Sequence, residues 1–331
     1  MTDVPLPPLK DLLADSTVVA LPMRVRFRGI TTREVMLVRG PAGWGEFGPF
    51  GEYDDDEAAN WLAAAIEAAW TSPPTAVRDS VPVNATVPSV PAADVPAILA
   101  RFPGATTAKV KVAEPGQCLA DDVARVARVR EIVPTVRVDA NGGWTVAQAV
   151  EALQALTADG PLEYAEQPCR TVAELAELRR TLSGVPIAAD ESIRRADDPL
   201  RVLRAEALDV AVVKVAPLGG VRRLLELAET LSDHGVSVVV SSALDSAVGM
   251  AAGIRAAAAL PTLDHACGLG TGGFFVRDVA TPLAISDGRL AVGPVEPDQE
   301  AITELAAPRE RVRWWQERLE RCYRILQTRT V

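Results

Sequence analysis

The chain has 331 residues, 48% hydrophobic and 24% charged, with a formal net charge of -10. That length accommodates one large α/β barrel or two ordinary domains with a substantial core. The acidic balance excludes a nucleic-acid surface as the main partner, yet permits an anionic substrate wherever a metal and local lysines reverse the field of one cleft. The first 80 residues contain strand-like Thr17–Leu21 and Val35–Arg39, then a Gly-rich turn, Gly43-Trp-Gly45-Glu-Phe-Gly48. A helix follows from about Asp54 to Trp70, opened by the acidic run Asp54–Glu57 that suits a helix N-terminus.

From about Pro82 to Leu269 the chain alternates short β-branched runs with amphipathic helical stretches. The strand candidates are Val81–Val87, Thr107–Val112, Thr135–Val138, Leu162–Ala165, Pro186–Ala189, Leu208–Val213, Val236–Val240 and a weak one near Leu263. Thr171-Val-Ala-Glu174 has capping-box spacing and starts one of the intervening helices. Strand–helix alternation sustained over eight beats predicts a parallel (β/α) barrel. The expected architecture is a modified (β/α) barrel over 81–287 with an α+β capping domain. The cap is built from 1–80 and a C-terminal stretch, 288–331, that returns to it. The last helix places Trp315, Leu319, Cys322 and Leu326 on one stripe, a docking face by helical spacing.

Polar residues fall on the same beat. Lys111, Asp139, Glu166, Asp190, Lys214 and Ser241 are separated by 28, 27, 24, 24 and 27 positions, about one βα unit each. Most stand at or just past the end of an apolar run, where a barrel gathers its catalytic groups on one face. Asp139, Glu166 and Asp190 are hard oxygen donors suited to Mg²⁺, with Mn²⁺ as an alternative. A helix-capping role would explain any one of them, but three in consecutive units favour metal. Lys109 and Lys111 alternate along one strand and so face the same side, where each is expected to lower the other's pKa. Lys214 lies about four strands away, across the barrel from Lys111. A lysine could then remove a proton next to a metal-bound carboxylate.

The segments Lys109-Val-Lys111, Asp139-Ala-Asn141, Glu166-Gln-Pro168, Asp190-Glu-Ser192 and Lys214-Val-Ala-Pro-Leu-Gly219 resemble the enolase superfamily, muconate-lactonizing subgroup. The cap segment Leu21–Ile30, the 43–48 turn, Ser241–Ser246 and His265–Gly272 are similar to a dehydratase branch of it. The resemblance spans nearly the whole chain. It implies dehydration of 2-succinyl-6-hydroxy-2,4-cyclohexadiene-1-carboxylate, a small-molecule carboxylate, to an aromatic product of menaquinone biosynthesis. Lys111 would abstract the α-proton and protonate the departing hydroxide, while Lys214 stabilises the enediolate. Substrate contacts are expected from Lys109, Asn141, Ser241, Ser242, the Gly268-Leu269-Gly270 loop, Met23 and Arg24. The nearest rival is an N-acylamino acid racemase or dipeptide epimerase using both lysines. A Schiff-base aldolase would not need the carboxylates, and an inactive binding protein would not need the full set.

Gly268, Gly270 and Gly273 satisfy GxGxxG, but no acidic residue follows at dinucleotide spacing. His265 reads as structural. Cys118, Cys169, Cys267 and Cys322 show no paired spacing and indicate reduced thiols of a cytoplasmic protein. No signal peptide or membrane span is expected, since Asp245, Ser246 and Arg255 interrupt the most apolar stretch. Monomer and homo-oligomer remain equally open.

Overall fold

The computed structural model describes residues 6–27, 29–194, 198–281 and 283–329. Helix α1 (Leu9–Ala14) precedes three antiparallel strands paired in order, β1 (Ser16–Phe27), β2 (Ile30–Gly40) and β3 (Gly43–Phe47). The Gly-rich stretch expected as a turn is therefore mostly strand. Its glycines serve close packing: a Cβ on Gly45 would stand 2.1 Å from the Ala65 carbonyl oxygen of α2 (Asp55–Trp70). Asp54 caps α2 by accepting from the Glu57 amide.

The expected first barrel strand is split. Strand β4 (Ser80–Pro82) pairs antiparallel with residues 289–291, and only β5 (Ala85–Val87) enters the barrel. Next come α3 (Val95–Leu99), β6 (Thr107–Lys111), α4 (Leu119–Arg130), β7 (Thr135–Asp139), α5 (Val146–Thr157) and β8 (Ala165–Glu166). They are followed by α6 (Val172–Thr181), β9 (Ile187–Ala189), α7 (Glu191–Arg194), α8 (Arg201–Arg204), β10 (Val210–Val213), α9 (Val215–Leu218), α10 (Val221–Ser232), β11 (Ser237–Val240) and α11 (Ala247–Ala259). Strands β5 to β11 form one parallel sheet in chain order.

The eighth strand expected near Leu263 does not form. The ring closes four residues later through single parallel bridges, Val83 to Cys267 and Ser241 to Gly268. Gly268 permits this approach, because a Cβ there would stand 2.4 Å from the Ser241 hydroxyl oxygen. Period-two alternation sorts the barrel residues. Ala108, Val110, Val136, Val138, Ala211 and Val213 join the core shared with the helices. Tyr164, Ala188, Val210, Val212 and Val239 form a separate cluster inside the ring.

Strand β12 (Arg289–Ala291) and α12 (Gln299–Glu304) lead to α13 (Arg309–Arg329). The predicted stripe Trp315, Leu319, Cys322 and Leu326 is buried, and α13 packs on α2 and β1. Buried Arg318 donates to the carbonyls of Pro49 (3.2 Å), Phe50 (3.0 Å) and Tyr53 (2.6 Å). No helix among the described residues is long and apolar enough to cross a membrane.

Two side chains of the three-stranded sheet grip the loop after β11. Arg33 Nε donates to the Leu244 carbonyl at 3.1 Å, where the Leu244 backbone takes φ 62°. Glu46 accepts from the Ser246 amide at 3.0 Å, the Gly249 amide at 3.3 Å and the Ser246 hydroxyl. Burial, reinforced by Asp245, pushes the Glu46 carboxyl up to about 7 from 4.5, with Arg33 opposing. Because folding raises this pKa, its contribution to stability is full below 4.5 and is lost as pH climbs through 7. Glu46→Gln should therefore flatten the fall in Tm between about pH 5 and 7, measured by calorimetry across that range.

Candidate active site

The C-terminal ends of the barrel strands open on one cavity lined by Thr86, Lys109, Lys111, Asp139, Asn141, Asp190, Arg194, Lys214, Ser241–Leu244, Gly268 and Thr271. Strand register builds it: Lys109 pairs with Thr86 on one side and Arg137 on the other, Lys111 with Asp139, and Asp139 with Glu166. Each polar side chain continues an inward-facing row whose outward neighbours are apolar. Lys111 and Lys214 both line this cavity, from β6 and from the residue after β10.

Ammonium and carboxylate groups interleave across the cavity floor. Lys109 Nζ lies 2.6 Å from Glu166 Oε1 and 3.1 Å from Asp139 Oδ2. Lys111 Nζ lies 2.6 Å from both Asp139 Oδ2 and Asn141 Oδ1. Lys214 Nζ bonds both oxygens of Asp190. Burial opposes ionisation of Asp139, but Lys111 and Lys109 outweigh it and hold the carboxyl well below the usual range. Asp190 is likewise held low, with Lys214 and Arg194 overcoming burial. For Glu166, burial and the neighbouring Asp139 carboxylate push the pKa up to about 7.

The expectation that Lys109 and Lys111 depress each other's pKa fails for Lys109. Burial does lower it, but Glu166 and Asp139 prevail and raise it well above the usual lysine value. Lys109 is therefore a fixed cation. Lys214 moves the other way, because its burial outweighs the attraction of Asp190.

A divalent cation suits this donor set. Glu166 is 1% exposed, and while Oε1 is paired with Lys109 its Oε2 has no hydrogen-bond partner, leaving a buried carboxylate oxygen unsatisfied. No three His, Cys, Asp or Glu side chains among the described residues are gathered closely enough to bind a metal in this arrangement. Lys109 stands between Asp139 and Glu166, while Lys111 bonds Asp139 and Lys214 bonds Asp190.

Gln167 fixes the relation between two of these strand ends. Its Nε2 donates to the Cys169 carbonyl (2.9 Å) and Ser192 hydroxyl (2.8 Å), and its Oε1 accepts from the amides of Asp190 (3.1 Å) and Ser192 (3.2 Å). Its backbone at φ 40° turns the chain immediately after Glu166.

The cavity gathers Lys109, Lys111, Asn141, Asp139, Asp190, Lys214, Ser241, Ser242 and Gly268 from among the sequence-predicted residues. Glu166 lies beneath, bonded to Lys109. Leu269 and Gly270 border a neighbouring apolar recess with Met250 and Leu290 instead. Met23 bridges to Phe275, and Arg24 donates to the Phe275 and Val276 carbonyls, which places both outside the cavity lining. His265 bonds Glu163 at 2.9 Å and meets Tyr164 edge-on, in keeping with a structural role. Sequence reasoning missed Thr86, Arg194, Ala243, Leu244 and Thr271. Thr86 lies 25 positions before Lys111, on the same beat as the rest, and Arg194 lies one helical turn past Asp190.

Residues 97–299 match the enolase C-terminal domain-like family and residues 18–69 the enolase N-terminal domain-like family. The chain belongs to the enolase superfamily. It is similar in fold to the muconate lactonizing enzyme of Pseudomonas fluorescens, with a TM-score of 0.75 and 21% identity over 88% of this chain and 98% of that one. Its sequence is 67% identical over 97% of both chains to o-succinylbenzoate synthase of Mycobacterium tuberculosis, and 65% identical over 97% of both to that of Mycobacterium marinum. Within the superfamily it therefore belongs to the o-succinylbenzoate synthases.

Gln167→Ala leaves the Asp190 and Ser192 amides without their acceptor. It should cost about 1–3 kcal/mol in urea unfolding and lower turnover as Glu166 and Asp190 lose their mutual alignment.

Proposed function

We propose that this chain converts 2-succinyl-6-hydroxy-2,4-cyclohexadiene-1-carboxylate to o-succinylbenzoate by eliminating water, a step of menaquinone biosynthesis. The observation that carries the reading is the placement of Lys111 and Lys214 on one cavity with Asp139 and Asp190 between them, in a chain of this family. Residues 1–80 and 288–331 are proposed to act as one cap over the 81–287 barrel.

Asp139, Glu166 and Asp190 would hold Mg²⁺, or Mn²⁺ in its place. When bound, the ion supplies positive charge for the substrate carboxylate as it becomes an enediolate. Lys111, as the free amine, takes the proton α to the carboxylate, and the C–H electron pair moves into the enediolate. The C–OH bond then breaks, and Lys111 returns its proton to the departing hydroxide, which leaves as water. Lys214 faces the reacting ring from the opposite wall as the stabilising cation. Lys109, bonded to Asp139 and Glu166, favours the ionised form of both carboxylates. Asn141 orients Lys111 through its side-chain oxygen. Ser241, Ser242 and the backbone at Gly268 supply polar groups to the substrate from the barrel closure.

Purified enzyme with Mg²⁺ should form o-succinylbenzoate from the cyclohexadiene substrate, lose activity in chelator and regain it on adding Mg²⁺. Lys111→Ala should abolish both turnover and exchange of the α-proton with solvent deuterium, followed by NMR. Rapid racemisation of N-succinyl amino acids without o-succinylbenzoate formation would sink the dehydratase reading in favour of the two-base racemase.

A further inference from the structure

Arg194 lines the cavity, and each nitrogen of its guanidinium bonds a protein group. Nε donates to Asp190 Oδ1 at 3.0 Å, Nη2 to Glu191 Oε1 at 2.5 Å, and Nη1 to the Tyr53 hydroxyl. The side chain is 4% exposed, so these bonds are shielded from competing water. Asp190 and Glu191 lie at the end of β9 and the start of α7, within the barrel. Tyr53 belongs to the segment that enters α2.

Tyr53 is itself held firmly. Its ring lies 5.9 Å from Phe50 in an edge contact and 5.9 Å from Trp61, and its carbonyl accepts from Arg318 of α13 at 2.6 Å. On the far side of Arg194 a second groove runs between α2, α8 and α10, bordered by Trp61, Leu200 and Leu227. Arg194 thus forms the partition between that groove and the catalytic cavity.

A carboxylate on a short side chain can rotate, and α7 has only four residues to steady Asp190. The planar fork of an arginine holds three acceptors in fixed directions from three separate nitrogens, whereas a lysine offers its donors from one freely rotating ammonium. We propose that Arg194 is a positioning residue that ties the Asp190 carboxylate to the cap through Tyr53, making the seating of the α2 segment and the binding of the divalent cation one coupled equilibrium. This inference rests on the cation-dependent reading above. Coupling of this kind is reciprocal: whatever seats Tyr53 tightens cation binding, and the cation in turn seats Tyr53.

Mg²⁺ titration of the full chain by calorimetry tests it with wild type, Tyr53→Phe, Arg194→Lys and the double variant. All four carry the same formal charge, so a change in affinity reports geometry and not the loss of a repelling cation. Arg194→Lys should weaken Mg²⁺ binding about tenfold and Tyr53→Phe about threefold, with the double variant no weaker than Arg194→Lys alone. Saturating Mg²⁺ should restore kcat of Tyr53→Phe to within about twofold of wild type, a rescue that a merely structural lesion would not show. An unchanged Mg²⁺ affinity in Tyr53→Phe, or two losses that simply multiply, overturns the proposal. Should Arg194→Lys fail to fold, the affinity of Tyr53→Phe decides alone. A wild-type chain that binds no Mg²⁺ and turns over in chelator overturns the cation reading instead.

Discussion

The barrel mouth is governed by the cost of burying charge. Asp139, Glu166 and Asp190 are each at most 3% exposed, and Lys109 and Lys214 each 8%. None of these groups could sit there alone, because an unpaired buried ion carries a penalty of several kcal/mol. The structure meets this constraint by flanking three carboxylate-bearing strands with lysines from β6 and from the end of β10, so that every one of these ammonium groups lies against a carboxylate. Catalytic use of the site follows from the same arrangement: a cation entering among the carboxylates competes with the lysines already bound to them. Base and ligand are therefore not independent parts.

The surrounding architecture holds those side chains in register. Parallel strands set the spacing, and the apolar faces of β6, β7 and β10 lock each strand against its helix. Gln167 ties two strand ends, and Arg33 and Glu46 fasten the loop carrying Ser241 to Leu244 to the three-stranded sheet. That sheet rests on α2, which α13 covers in turn. A C-terminal helix far from the chemistry therefore supports a loop that lines the cavity.

Much of this was legible because the barrel converts sequence spacing into spatial proximity. Once Lys111, Asp139, Glu166, Asp190, Lys214 and Ser241 recur at one βα unit each, the fold brings them together whatever lies between. Less legible were features set by contacts between distant segments. Gly43–Gly48 reads as a turn from composition, yet Gly45 is needed because a helix backbone presses on a strand there. The pKa of Lys109 depends on Glu166, 57 positions away, so the adjacent Lys111 was a poor guide to it. Arg194 has a helical-turn relation to Asp190 in the sequence, but its bond to Tyr53, 141 positions away, has no local signal. Met23 and Arg24 were assigned by resemblance alone, and their bonds run to the backbone of 275–276.

The ring of strands is not uniform around its circumference. Between β6 and β7 five residue pairs are in register, whereas the closure at Cys267 and Gly268 rests on one bridge to each side. A barrel sewn this way has a seam, and deformation concentrates where the stitches are fewest. The seam runs beside Ser241 and Ser242, whereas Lys109, Lys111 and Asp139 stand on the pair of strands with the longest register. The active site thus draws Lys109, Lys111 and Asp139 from the most extensively paired strands and Ser241 from the closure that has the fewest pairs.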